Sequence, residues 1–167
     1  MKKWNLVVAA SATFALSLAS VQVMAQTYVR YSQEGGEVHW GMVHDDGIWQ
    51  LAGAPYLTQD HTGVIVQREE VKLEAPVDPN LVFMTAFNFR SHISGEPADY
   101  PGLFTIPASS IVGPEDPIVR PAESKNLHYE AEMAIIVGKR AENVAVEDAH
   151  EYIFGVTGGN DVSERTW

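Results

Sequence analysis

The chain has no cysteine, which rules out disulfides, thiolate metal sites and a cysteine nucleophile. It is also poor in positive charge, with 11 Lys and Arg against 22 Asp and Glu and a formal net charge of −11. No basic run occurs beyond the first three residues, so a nucleic-acid or anionic-membrane partner is not expected. There is no Walker loop, no dinucleotide fingerprint, no G-x-S-x-G elbow, no internal repeat and no low-complexity tract. What remains is 167 residues, 46% apolar and 20% charged, the profile of a soluble globular protein of about one domain.

Residues 1–25 stand apart. Lys2 and Lys3 precede an apolar stretch from Leu6 to Val21, which ends in Val23-Met24-Ala25. This small-x-Ala ending reads as a secretory signal peptide cleaved after Ala25, and it predicts an exported, periplasmic protein with no membrane contact after cleavage. The stretch is short for an uncleaved membrane anchor.

Residues 26–78 read as a small β-meander. "YVRYSQ", "EVHWGMVH" and "IWQLAG" are rich in Val, Ile, Tyr and Trp, and Gly35-Gly36 and Asp46-Gly47 lie between them as hairpin turns. "VIVQREEVKLE" adds one or two strands before Pro76 and Pro79 mark a boundary. In residues 79–167, "LVFMTAF" and Met133–Val137 are expected to be buried strands, and "GLFTIP" is extended. "VAVEDAHEYIFG" is expected to be a helix over 146–154, with Glu147 and Asp148 in its first turn and Gly155 as its C-cap. The predicted class is α+β with mostly β content.

Glu130 and Glu132 stand two apart at the start of the Met133–Val137 strand, so they share a face. Two like charges there require solvent or a cation between them. Mg2+ and Mn2+ are held by one or two carboxylates together with water and substrate oxygens. Glu-x-Glu is equally ordinary on a solvated strand face. His128 has the same parity. Asp161 follows Gly158 and Gly159, which permit close backbone approach, although Asn-Asp after Gly-Gly is also common turn chemistry. His92 lies on a loop close to Arg90 and Glu96, and a histidine oriented by a carboxylate can serve as a base at neutral pH.

Taken together, "FNFRSHISGE", "SSIVGPEDPIVRP" and "HYEAEMAIIVGKRAENVAVEDAHEYIFGVTGGNDVSER" resemble the fumarylacetoacetate hydrolase family. They resemble its N-Y-x-x-H segment, with Phe89 in the Tyr position, and its E-x-E and N-D-x-[ST]-x-R segments, and the meander resembles the small domain that precedes many members. The resemblance covers residues 27–167 and is dense from about residue 81. It implies a mixed β-sheet roll, incomplete here. It implies Glu130, Glu132 and Asp161 as ligands for Mg2+, with Mn2+ or Ca2+ as substitutes. It also implies His92 as the residue that activates water with a nearby acid, for which Glu96 is the candidate, and Arg90 and Arg165 as substrate contacts. The implied reaction is hydrolysis of a C–C bond in acylpyruvate- or fumarylpyruvate-type dioxo acids. Isomerisation, tautomerisation or decarboxylation of related oxo acids is the alternative, and a non-catalytic exported metal-binding remnant is another. The family's common assembly is a homodimer.

Three departures accompany the resemblance. Gly95 stands where the family places the acid partner of its histidine, and Glu96 is one residue further. Ile106 stands in place of a lysine. The chain stops at Trp167, whereas the family's catalytic domain continues, so residues 79–167 are expected to be the N-terminal part of that domain.

Overall fold

A computed structural model describes residues 25–167. The expected signal peptide, residues 1–25, lies outside the described residues except for Ala25. Among the described residues, no helix is long and apolar enough to cross a membrane.

The meander folds as expected. β1 (Tyr28–Ser32), β2 (His39–His44), β3 (Gly47–Leu51), β4 (His61–Val66) and β5 (Lys72–Leu73) form one antiparallel sheet in the order β4-β3-β2-β1-β5. The β1–β2 turn needs left-handed backbone at Glu34 and Gly35 (φ +48° and +72°), and the β2–β3 turn needs it at Gly47 (φ +140°). One face buries Tyr31, Ile48, Val66 and Val71, with Val29 and Leu73 packed against them. Arg30 ties the sheet to the following segment, donating to the carbonyls of Ala75 and Val77 at 3.0 Å each.

From residue 81 the chain forms paired strands. β6 (Leu81–Ala86) and β7 (Gly102–Pro107) are antiparallel partners, joined by a long loop that carries a 3-10 turn at Arg90–His92. β8 (Leu127–His128) pairs with β11 (Ser163–Glu164), and β9 (Ala131–Val137) pairs with β10 (Ile153–Asn160). The two ladders share one register, because His128 faces Ser163 and Ala131 faces Asn160. They are therefore one long hairpin, interrupted where Glu130 stands opposite Asp161. Tyr28 and Tyr56 of the meander pack on Phe154 with ring centroids 5.5 and 5.7 Å apart, and Lys72 pairs with Asp116 at 2.8 Å.

Two expectations are corrected. Residues 146–154 do not form an α-helix: Val146–Tyr152 is a 3-10 helix, and Gly155 is inside β10, paired with Ile136, rather than a C-cap. Ala145 offers no side-chain cap, and β10 begins at Ile153, so only seven residues are left between the strand and the preceding turn. With no side-chain cap and no buried residue, the segment has little to hold an α-helix and takes 3-10 turns instead. The two strands expected to be buried are not: in 81–87, Leu81, Phe83 and Phe87 are exposed, and the same holds for Met133–Val137. Ala134 and Ile136 are half-buried, while Met133, Ile135 and Val137 are exposed, since no layer among the described residues covers that side.

Candidate metal and active site

The interruption of the long hairpin organises the site. Where the ladder breaks, the Glu130 N–H donates to Asn160 Oδ1 (2.9 Å) and the Asp161 N–H donates to the Glu130 carbonyl (2.9 Å). These bonds satisfy the backbone groups the ladder leaves free. Gly159 pairs with Glu132, so the position across from that carboxylate carries no side chain, and a Cβ built at Gly159 would meet nothing.

Glu130 and Glu132 line one open cavity of about 390 Å3, together with His92, His128, Tyr129 and Arg165. That volume suits a small-molecule ligand. His92 reaches it from the 3-10 turn, which is closed by the His92 N–H donating to the Phe89 carbonyl at 2.9 Å. The Arg165 guanidinium pairs with Glu130 Oε1. Asp161 is not part of the cavity wall but lies close enough to Glu130 for their charges to interact. Burial raises the Asp161 carboxyl above its ordinary value, the Glu130 charge raises it further, and Arg165 offsets part of the rise.

The structure brings His92, Glu130, Glu132 and Arg165 around one space, with Asp161 beside them. Arg90 and Glu96 do not line the cavity; the Arg90 guanidinium donates instead to the Gly95 carbonyl at 2.8 Å. Among the described residues, no three Asp, Glu or His side chains are already gathered into a cation cage. The donor chemistry nevertheless fits a hard divalent ion. The ligand candidates are all oxygens, and a cation would relieve the opposition of Glu130 and Asp161.

Three contributing residues escaped sequence reasoning. Asn160 accepts from the Glu130 N–H; it opens the N-D-x-[ST]-x-R segment, but that motif gave no sign of this backbone contact. Glu164 accepts from Ser124 Oγ, from the Thr166 hydroxyl and N–H, and from the Asn126 N–H. Ser124 is almost fully buried and had no signal at all.

The donors on Glu164, led by the Ser124 and Thr166 hydroxyls, hold its carboxyl down at about 2 against an ordinary value of 4.5. Because the folded value is the lower one, the stabilising contribution is complete above pH 4.5 and is lost as the pH falls towards 2. A carboxyl NMR titration is expected to give a midpoint near 2 for Glu164, and Ser124→Ala is expected to raise it. A midpoint at the ordinary value would contradict this assignment.

Comparison with known proteins gives the lineage. The family model described as "Fumarylacetoacetate (FAA) hydrolase C-terminal" matches residues 81–167. The chain belongs to the fumarylacetoacetate hydrolase family. Residues 27–76 match a second model, "Rv2993c-like, N-terminal". A mitochondrial oxaloacetate tautomerase of Xenopus laevis is 37% identical over 107 residues, 62% of this chain and 34% of the relative. The solved 5-carboxymethyl-2-hydroxymuconate delta-isomerase of Mycobacterium smegmatis superposes with TM-score 0.74 at 31% identity, covering 84% of this chain and 56% of that one. Maleylpyruvate hydrolase of Sphingobium sp. SYK-6, solved with manganese(II) and pyruvate, superposes with TM-score 0.65 at 27% identity, covering 86% of this chain and 60% of that one. The mostly β architecture is thus that of the family's fold. The chain spans about a third of the length of curated relatives such as the tautomerase and little more than half of the two solved chains.

Proposed function

We propose that this chain carries the divalent-cation site of an enzyme that hydrolyses a C–C bond in a 2,4-dioxo acid of the acylpyruvate or fumarylpyruvate type. The observation that carries this reading is the single cavity shared by His92, Glu130, Glu132 and Arg165, with Asp161 opposite Glu130. Glu130, Glu132 and Asp161 would hold Mg2+, or Mn2+ or Ca2+ in its place. A bound ion would supply Lewis acidity to the substrate oxygens and stabilise the negative charge that develops in C–C cleavage.

The chain's own residues supply the remaining parts. His92 brings the imidazole that takes a proton from water at a ring nitrogen and returns it to the leaving carbon. Arg165 spends part of its five-donor fork on Glu130, and its other N–H groups can orient a substrate carboxylate. Arg90 does not line the cavity and holds the Gly95 carbonyl instead, so it would have to swing towards the cavity to join it. The manganese and pyruvate held by the Sphingobium hydrolase support this reading.

A second reading is tautomerisation of a 2-oxo acid. It is favoured by Glu96, which does not line the cavity and so leaves His92 without its expected acid partner there. Moving a proton between carbon and enol oxygen needs only one base. The tautomerase relative supports it.

The two readings separate in one assay with Mg2+ and the full chain. Acetylpyruvate is offered with a coupled measurement of pyruvate, and oxaloacetate is offered with enol absorbance followed directly. Pyruvate release that falls about 10²–10⁴-fold in His92→Ala supports hydrolysis. Accelerated enol decay without pyruvate release supports tautomerisation. No response to either substrate would contradict both.

A further inference from the structure

We propose that Glu164 is a positioning residue of the candidate metal site: its carboxylate fastens the end of β11 to the 124–128 segment and so aims the Arg165 guanidinium at Glu130. The inference rests on the metal-site reading above and extends it to a residue outside the cavity wall.

β11 is two residues long and pairs with an equally short β8, so its backbone ladder alone is a weak support. The Glu164 carboxylate supplies what the ladder lacks. Oε2 accepts from the buried Ser124 hydroxyl and from the Asn126 N–H at 3.0 Å. Oε1 accepts from the Asn126 N–H at 3.2 Å and the Thr166 N–H at 3.0 Å, and also from the Thr166 hydroxyl. Ser124 is itself anchored, since its carbonyl accepts from Arg120 at 2.6 Å. An ordinary glutamate leaves such lone pairs to water, whereas here they are committed to backbone and hydroxyl donors on both sides of one residue.

That residue is Arg165. Its N–H donates to the Asn126 carbonyl at 3.0 Å, which fixes the backbone, and its guanidinium reaches Glu130 Oε1. The bonds therefore run from Ser124 and Asn126 through Glu164 and Arg165 to a candidate metal ligand. Releasing the clamp leaves Arg165 held only by its own N–H bond and the two-residue ladder, so the guanidinium that sets the Glu130 rotamer is less firmly aimed. Outer contacts of this kind orient metal ligands, and their loss typically costs about 10–100-fold in metal affinity.

The test is Mn2+ affinity of the full chain, measured from the free-ion signal by electron paramagnetic resonance, with a melting curve recorded for each variant. Glu164→Gln is expected to weaken Mn2+ binding about 10-fold or more, and Ser124→Ala, which removes one donor, to weaken it less. In an Arg165→Gln background, Glu164→Gln is expected to make no further difference, because its effect passes through Arg165. General loosening of the fold would instead add to the Arg165 effect, and that result overturns the proposal. Unchanged Mn2+ affinity in Glu164→Gln overturns it too, while leaving the metal site standing. If Glu164→Gln does not melt cooperatively, Ser124→Ala decides: weakened binding supports the clamp and unchanged binding overturns it. A wild-type chain that binds no Mn2+ removes the metal reading and the clamp together.

Discussion

Replacing Glu130 and Glu132 together by Ala is expected to abolish the thermal stabilisation that Mn2+ or Mg2+ gives the wild-type chain. An ion present at 100 times its dissociation constant stabilises the folded state by about 2.7 kcal/mol. For a chain of this size that corresponds to a rise in Tm on the order of 5–10 °C. The double variant removes two of the three carboxylates and leaves Asp161 alone, so the rise should vanish. The metal-free chain should change much less, because the Glu130–Arg165 pair is only partly buried and such pairs are worth at most about 1 kcal/mol. Differential scanning fluorimetry with and without Mn2+, against a chelator control, measures both effects. An equal Mn2+ shift in the variant would place the ion elsewhere.

The second large effect lies far from the site. Ile48→Ala is expected to destabilise the N-terminal sheet by about 2–5 kcal/mol. Ile48 is 3% exposed and packs with Tyr31, Val66 and Val71. Its surroundings are already close: a Cβ built on Gly41 would come within 2.3 Å of Ile48 Cγ2. Tyr31 and Val66 lie on strands of the same hydrogen-bonded sheet as Ile48, so they cannot collapse freely into the space that Ala would leave. A urea titration followed by the fluorescence of Trp40 and Trp49 reads the loss directly. A change well under 1 kcal/mol would mean that this cluster is not the core of the sheet.

Strands and turns were legible in the sequence because they depend on local chemistry. Asp46-Gly47 needed the positive φ that the structure shows at Gly47, and the β-branched runs became β1 to β4. The 146–154 segment misled because its acidic first turn and apolar spacing suit a helix, while the decision belonged to a long-range pairing. β10 takes up Ile153 and Gly155 against Val137 and Ile136, and no local signal announces that register. The same pairing explains the site. The E-x-E spacing suggested Glu130 and Glu132, but Asp161 reaches Glu130 only because the chain returns at the register that opposes them. Glu96 lay near His92 in sequence, yet loop geometry fixed by the Arg90–Gly95 contact keeps it off the cavity wall. Glu164 was invisible because its partners, Ser124 and Asn126, are some 40 residues away, brought close by the two-residue β8–β11 ladder.

The proposed function stands on Glu130, Glu132 and Asp161 holding a divalent ion on which an oxo acid can sit. The most direct measurement is isothermal titration of Mn2+ into the full chain, alone and with saturating pyruvate. One ion per chain is expected, bound more tightly when pyruvate is present, with both effects lost in Asp161→Ala. Binding that is absent, or that survives in Asp161→Ala and ignores pyruvate, would contradict it.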